Sequence, residues 1–128
     1  FTNNFDYRYL IDVDGNSNSW PGFFMKLGTG SCVIKVASAH GYSQWYYDRI
    51  TEWRHYVPVR ADLSDLQEKL DYLIRNSEIA HKIAQNARLF VFSRTKQEWA
   101  EAAAMHLACS VDFFMDESTA IDESDSVA

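Results

Sequence analysis

Residues 7–37 read YRYLIDVDGNSNSWPGFFMKLGTGSCVIKVA, and this stretch decides the fold class. Its two ends, 7–13 and 32–37, are rich in β-branched and aromatic residues and adjoin glycine-containing turns, a pattern typical of strands. The apolar residues between them predict a short buried helix that ends at Gly28 or Gly30. A strand, a helix and a second strand within about thirty residues have the length of a βαβ unit, which implies parallel strands. The predicted class is therefore α/β with a parallel sheet.

The rest of the chain predicts one more strand and three helices. Residues 56–59 include a proline, which predicts a strand at the edge of the sheet. Leucines at helical spacing predict an amphipathic helix that starts at Asp62, and Ser77 is placed to cap the next helix. A further helical stretch is predicted around Trp99 and the alanines that follow it.

Composition bounds the class of protein. The chain has 128 residues, 47% of them hydrophobic and 15% aromatic, which suffices for the core of one domain and excludes a disordered chain. The net charge of −6 argues against a dedicated nucleic-acid binder. Six acidic residues near the C-terminal end account for the whole net charge: Asp112, Asp116, Glu117, Asp122, Glu123 and Asp125. Residues 1–116 are therefore expected to form the folded domain, and 117–128 an acidic, disordered tail.

Motifs for metal binding, nucleophilic catalysis and membrane insertion are missing from the sequence. Cys32 and Cys109 lie in apolar or amphipathic segments without metal-ligand or CxxC spacing, so buried, reduced thiols and a cytoplasmic location are expected. The histidines are scattered, and GxSxG is absent. No apolar run approaches the roughly 18 residues of a membrane span, and we expect no transmembrane segment. The chain begins with Phe1, which indicates either a processed chain or a piece of a longer polypeptide.

The loop over 14–22, DGNSNSWPG, is the most informative polar segment, because it follows a strand and precedes a helix. Gly15 permits a tight turn, and Pro21 suits the first turn of a helix. Free N–H groups at a helix start bind anions, and open α/β sheets bind ligands at the carboxyl ends of their strands. The loop is therefore a candidate phosphate cradle, although the local pattern alone favours the alternative, an ordinary capped loop between a strand and a helix.

Aromatic residues are concentrated in 42–56, YSQWYYDRITEWRHY. Such density beside polar residues is typical of a pocket or an interface, where the rings could stack on a base or a sugar and Gln44, Asp48 and Arg49 could hydrogen-bond to it. Equally, Trp45 and Trp53 could simply pack a short helix onto the sheet. The pattern alone does not separate these two interpretations.

Taken in order, three segments resemble the C-terminal half of glycosyltransferase family 90. They are DGNSNSWPGFFMKL over 14–27, TGSCVIKVAS over 29–38 and QWYYDRITEWRHYVPVRADLSDLQEKLDYL over 44–73. The resemblance extends over about 7–92. The family includes capsule-associated and lipopolysaccharide-modifying transferases as well as protein O-glucosyltransferases and xylosyltransferases, and the loop sequence is similar to the bacterial branch.

This resemblance implies a GT-B fold, in which two Rossmann-like domains face a cleft. The chain would be the C-terminal domain, a three-layer Rossmann-like unit with a small parallel sheet that holds a nucleotide sugar, usually a UDP-sugar. Such enzymes invert the anomeric centre without a bound metal and need no other cofactor, and Asp62 would start the helix behind the donor. The donor-site residues that the resemblance implies are Gly15, Asn16, Ser17, Asn18, Ser19, Trp20, Ser31, Lys35, Gln44, Trp45 and Tyr46.

The chain also departs from the family pattern. Eukaryotic members have arginines in and just after the glycine loop, where this chain has Asp14 and then Pro21 and Gly22. The diphosphate would then rely on backbone N–H groups, on Lys35 or on cations from elsewhere. The family's general base lies in the N-terminal half, so no catalytic residue is assigned here, and the chain alone is expected not to transfer sugar.

Two functions follow from this sequence. In the first, the chain is the donor-binding domain of an inverting glycosyltransferase that acts on a glycan, lipopolysaccharide or protein hydroxyl, and its partner is the missing N-terminal domain. In the second, it is a shortened, non-catalytic domain that binds another protein as an assembly subunit.

Overall fold

The structure is a computed structural model and describes residues 6–14 and 21–109. The chain divides into two compact units between Ser93 and Arg94. The first unit contains the sheet, and in the second unit residues 96–109 are helical, in agreement with the helix predicted around Trp99. The predicted boundary at 116 and the predicted tail both lie outside the described residues.

The described part of the first unit is an α/β fold with a small parallel sheet. Its strands lie in the order β1-β2-β3, and both neighbouring pairs are parallel. The predicted class is thus confirmed, and the proline-containing strand is indeed at the edge. The elements are β1 (Tyr9–Asp12), α1 (Gly22–Leu27), β2 (Cys32–Val36), β3 (Val57–Val59), α2 (Leu66–Arg75) and α3 (Ser77–Phe92), with a 3-10 turn over Tyr47–Arg49 between β2 and β3.

The start of α2 differs from the prediction. The helix begins at Leu66, four residues after Asp62, because the preceding residues form a turn held by side chains. The Asp62 carboxylate accepts a hydrogen bond from the Ser64 N–H at 3.0 Å, and the Asp65 carboxylate accepts one from the Arg60 N–H at 2.9 Å. Bonds of this kind compete with helix formation, so Asp62 belongs to the turn and does not start the helix.

The other helix ends agree more closely with the prediction. Ser77 is the first residue of α3 and does not cap it; the capping position is Asn76, whose side chain donates to the Tyr72 carbonyl at 2.8 Å and closes α2 instead. α1 ends before Gly28, as predicted, and Gly28 keeps a right-handed φ of −79°. The left-handed conformation belongs to Gly30, with a φ of +87°.

The central strand β2 is buried along its whole length and separates two apolar clusters. Alternation of side chains directs one set towards α2 and α3 and the other towards α1 and the aromatic segment. The first cluster is Cys32, Ile34, Val36, Val57, Val59, Leu73, Ala80, Ile83 and Ala84. The second is Phe23, Leu27, Val33, Tyr46, Ile50 and Ala87. Both faces of the sheet are therefore covered, and α3 contributes to both clusters.

Leu73 tests the first cluster, because it has no exposed surface whereas its neighbour Ile74 is 55% exposed. Leu73→Ala removes buried methyl groups and leaves a cavity, so we expect the free energy of unfolding to fall by about 2–5 kcal/mol. Ile74→Ala on the same helix should change it by only about 0.5 kcal/mol. Urea denaturation followed by circular dichroism measures both, and equal losses would contradict this packing.

The turn before β3 depends on a buried histidine. The Nδ1 atom of His55 accepts a hydrogen bond from the Thr51 N–H at 2.9 Å, and the ring packs against Phe90 with centroids 5.6 Å apart. Burial, assisted by the nearby Arg54, lowers the pKa of His55. The ring is therefore neutral in the folded protein, with a lone pair on Nδ1 to accept the bond.

This arrangement predicts loss of stability in acid. Below the unfolded-state pKa of about 6.5 the unfolded chain takes up a proton before the folded chain does. The free energy of unfolding should therefore be fully retained above pH 6.5 and should decrease as the pH falls towards the lowered folded pKa. His55→Asn keeps an acceptor near Nδ1 but cannot titrate, so the loss between pH 7 and 5 should be smaller. Parallel pH profiles of the two proteins would contradict this role.

Candidate functional site

The carboxyl ends of the three strands define the candidate site. They end at Asp12, Val36 and Val59, so the segments that follow them start from one edge of the sheet, where open α/β sheets bind ligands. The segment after β1 contains six of the predicted donor-site residues, all of which lie outside the described residues: Gly15, Asn16, Ser17, Asn18, Ser19 and Trp20.

A buried cluster of charges lies at this edge. The Asp12 carboxylate has no exposed surface, and its two oxygens pair separately with Lys26 Nζ at 2.8 Å and Lys35 Nζ at 2.7 Å. Lys35 Nζ also pairs with the Asp14 carboxylate at 2.5 Å. Lys26 Nζ donates in addition to the Ile11 carbonyl at 3.0 Å. Two carboxylates and two ammonium groups thus form one cluster with no net charge.

The fold places each member of this cluster. Asp12 and Lys35 lie opposite each other in the parallel register of β1 and β2, and their side chains point to the same face of the sheet. Lys26 comes from the last turn of α1, the helix that packs on that face. The cluster therefore joins β1 and α1, which precede and follow residues 15–20 in the sequence, to the neighbouring strand β2.

Lys35 stays charged in this environment. Burial acts to lower its pKa, but hydrogen bonds to Asp12 and Asp14 outweigh burial, and the net pKa is raised. The ammonium group also lies 5.2 Å from the centroid of the Phe23 ring, a cation–π distance. Burial raises the pKa of the adjacent Tyr47, and the Lys35 charge only partly opposes that rise.

Lys35 thus occupies the edge at which the resemblance places the donor, but two carboxylates already compensate its charge. An anion bound there would meet a neutral cluster and not a free cation. Any contact of Lys35 with a diphosphate stays a prediction. Its observed partners make it first of all the residue that connects Asp12 to Asp14.

Ser31 lies at the other end of β2. Its hydroxyl donates to the Tyr7 carbonyl at 2.6 Å, and its N–H donates to the Thr29 hydroxyl at 3.2 Å. Because a strand rises about 3.3 Å per residue, the four-residue separation corresponds to about 13 Å between Ser31 and Lys35. The structure therefore does not bring these two predicted donor-site residues together.

Gln44, Trp45 and Tyr46 belong to the segment after β2, on the side of the predicted site. The Gln44 carbonyl accepts the Tyr47 N–H at 2.9 Å and so starts the 3-10 turn. Tyr46 is only 2% exposed and packs edge-to-face against Phe24, Trp45 and Tyr47 with centroids 5.2–5.5 Å apart. Burial raises its pKa. Tyr46 is therefore part of the second apolar cluster, and Gln44 and Trp45, both half-buried, are more accessible.

Asp12 and Lys26 are absent from the residues predicted on sequence. A signal existed: Asp12 follows Leu10 at the two-residue spacing of a buried strand face, and Lys35 has the same relation to Val33. Two opposite charges at inward positions of adjacent strands indicate a buried pair once the strands are known to be neighbours. The helical Lys26 offers no such pattern.

Asp12→Asn tests the charge cluster. The amide keeps the shape of the carboxylate but leaves the buried Lys35 with only Asp14, so we expect the free energy of unfolding to fall by about 3–5 kcal/mol. Asp48→Asn is the matched control, because the Asp48 side chain is 75% exposed and lies 3.9 Å from Arg49. That control should change stability little. Equal midpoints of denaturation for the two variants would show that the cluster contributes nothing.

In the ranges 6–14 and 21–109, no three His, Cys, Asp or Glu side chains are grouped so that they could hold a metal ion. The helices of these same ranges are too short or too polar to cross a bilayer.

Comparison with known proteins gives several relatives. An uncharacterized protein 035R of Invertebrate iridescent virus 3 is 35% identical over 92 residues, which are 72% of this chain and 8% of that protein. Human protein O-glucosyltransferase 3 is 38% identical over 85 residues, 66% of this chain and 16% of the enzyme. Bovine protein O-glucosyltransferase 1 is 30% identical over 92 residues, 72% of this chain and 23% of the enzyme. The chain thus spans less than a quarter of each of these relatives.

The family model described as glycosyl transferase family 90 matches residues 1–107. That range includes the whole sheet, the charge cluster and the segment between β1 and α1. The chain therefore belongs to glycosyltransferase family 90.

Proposed function

We propose that this chain is the donor-binding part of an inverting, metal-independent glycosyltransferase, with a nucleotide sugar, usually a UDP-sugar, as its ligand. The observation that supports this most is the family match over 1–107, which includes the polar segment that follows β1 in the sequence. The GT-B architecture, with a second Rossmann-like domain as partner, belongs to the same proposal.

The charge cluster supports a binding role for the segment 15–20. Asp14, on one side of the segment, is fixed to β2 through Lys35. α1, on the other side, is fixed to β1 through Lys26 and Asp12. A segment with both ends held in this way loses less conformational entropy when it binds a ligand, which favours affinity.

In the proposed reaction an acceptor hydroxyl attacks the anomeric carbon of the donor. A base outside this chain removes the hydroxyl proton, the new glycosidic bond forms with inversion, and the bond to the diphosphate breaks. This chain would bind the donor and stabilise the leaving diphosphate through backbone N–H groups of the segment 15–20. Because Lys35 is already compensated by two carboxylates, further positive charge would come from outside the described cluster.

The acceptor is the least constrained part of this proposal. Two of the relatives are named protein O-glucosyltransferases, which favours a protein hydroxyl. The prediction of a lipopolysaccharide or capsule acceptor, and the assignment to the bacterial branch of the family, depend only on the sequence of the loop. A cytoplasmic location likewise stays a prediction. Cys32 and Cys109 are both free thiols, but Cys32 is buried as predicted whereas Cys109 is exposed, so the prediction of burial is wrong for Cys109.

The second candidate function is a non-catalytic assembly subunit. Exposed apolar side chains on α3 are compatible with it: Leu89 is 69% and Phe92 is 67% exposed. Such a face suits contact with a protein partner. Contact with the second domain of a complete transferase would cover it equally well, so this observation alone does not favour the assembly subunit over the donor domain.

Calorimetric titration with UDP and UDP-sugars separates the two functions. We expect saturable binding by the chain, and loss of that binding in Gly15→Val, because a β-branched residue restricts the backbone where glycine allows a tight turn. Ala104→Val adds the same side chain at an exposed helical position and should bind like the parent chain. The chain alone should not transfer sugar to any acceptor.

Two results would contradict the proposal. Absence of binding at millimolar UDP would favour the assembly subunit. Turnover of a UDP-sugar by the isolated chain would show that the catalytic base is not confined to another domain.

A further inference from the structure

A hollow lies along α2, beside the edge strand β3, and its volume is about 720 Å³. Two aromatic side chains line it, Trp53 and Tyr72, which are 42% and 43% exposed. Their rings meet edge to face, with centroids 6.0 Å apart and an interplanar angle of 86°. Large aromatic rings left accessible in a concave surface are typical of binding sites.

The polar residues of the hollow are four charged residues, Arg60, Asp65, Glu68 and Lys69, and the uncharged Ser64. Lys69 Nζ pairs with Asp65 at 2.6 Å and donates to the Pro58 carbonyl, so this pair is satisfied internally. The Arg60 guanidinium and the Glu68 carboxylate also line the hollow, and within the described ranges neither makes an ion pair or a side-chain hydrogen bond. The four charges cancel, while one donor group and one acceptor group are left for a ligand.

The backbone at Trp53 is strained. Its φ of +59° lies in the left-handed region, which a bulky residue rarely adopts. The Trp53 N–H donates to the Tyr56 carbonyl at 2.7 Å, and a bridge between Glu52 and Tyr56 closes the same turn. Strain of this kind persists where the surroundings fix it and is often found at ligand clamps. Here the consequence is that the indole is held in the wall of the hollow.

We propose that this hollow binds a neutral pyranose sugar. An aromatic ring can cover the apolar face of a pyranose, and a carboxylate and a guanidinium can bind its neighbouring hydroxyl groups. The absence of net charge in the lining does not favour a phosphate or a carboxylate ligand. The volume is within the 300–1,000 Å³ that is typical of small-molecule sites, which suits one or two sugar rings.

Donor binding is proposed for the segment that follows β1, whereas the hollow lies beside β3, and β2 separates these two strands in the sheet. The hollow is formed by α2 and by the residues that flank β3. A sugar held there would belong to a glycan that the protein recognises, and would not be the nucleotide-linked sugar of the donor. Free sugars can therefore be tested without any nucleotide.

Trp53→Gly is the informative variant, because glycine adopts a positive φ without strain while the indole is lost. We expect this variant to remain folded, with a denaturation midpoint no lower than that of the parent chain. Saturation-transfer NMR with glucose, xylose, galactose and maltose should show saturable binding to the parent chain at millimolar concentration. Trp53→Gly and Glu68→Gln should each weaken that binding at least tenfold. Tyr7→Ala removes an exposed aromatic ring outside the hollow and should leave it unchanged.

Several results would overturn the proposal. No saturable binding of any of these sugars by the folded parent chain, up to about 100 mM and far above millimolar Kd values, would do so. Unchanged sugar binding in Trp53→Gly would place the sugar elsewhere. Displacement of the sugars by uridine, or uridine binding that Trp53→Gly weakens, would make the hollow a nucleobase site. We expect Trp53→Gly to bind UDP like the parent chain. Loss of sugar binding and loss of UDP binding can therefore be observed separately, and the two proposals can fail independently.

Discussion

The Asp12 carboxylate lies between two ammonium groups, and the arrangement of β1, β2 and α1 depends on this contact. A charge without exposed surface is costly unless it is paired and hydrogen-bonded, and here each oxygen has its own cation. The pairing also fixes the register, since Asp12 lies opposite Lys35. A slip of β1 by one residue would turn the carboxylate towards the apolar cluster on the other face. The three elements therefore satisfy the charge only when they are assembled together.

The four residues of the charge cluster lie before and after residues 15–20 in the sequence. Asp12 and Asp14 precede the segment 15–20 and Lys26 follows it, while Lys35 comes from the next strand. The ion pairs thus connect the two sides of the segment through the interior of the protein and not across its surface. The apolar cluster around Phe23 covers the same pairs, and the lower dielectric strengthens them. When α1 packs on the sheet, it also brings Lys26 to Asp12, so the same contact packs the helix and neutralises the carboxylate.

The sequence predicts the elements well and their juxtapositions poorly. The β-branched runs, the glycine turns and the proline at position 58 each act locally, and the strands, their parallel order and the edge position follow from them. The Asp12–Lys35 pair is a consequence of register, which no local pattern specifies. Asp62 shows a different limit of sequence-based prediction. An aspartate before a leucine-rich helix can either cap that helix or form a turn ahead of it, and the local sequence is nearly the same in the two cases. Aromatic density is equally ambiguous: Tyr46 is 2% exposed and Trp53 is 42% exposed in one continuous segment.

Several charged side chains inside the fold pair with one another, and this limits the charge that is available to bind a ligand. At the ends of β1 and β2 the two lysines are matched by two aspartates, and beside β3 Lys69 is matched by Asp65. The net charge of −6 comes from the last stretch of the sequence, which adds no cation to either site. Under the two proposals, recognition would therefore come from oriented groups: backbone N–H groups for an anion after β1, and aromatic rings with one guanidinium and one carboxylate for a neutral ligand beside β3. The ion pairs hold the strands and helices in position, and the proposed ligands would be bound by the dipoles and rings that these elements carry.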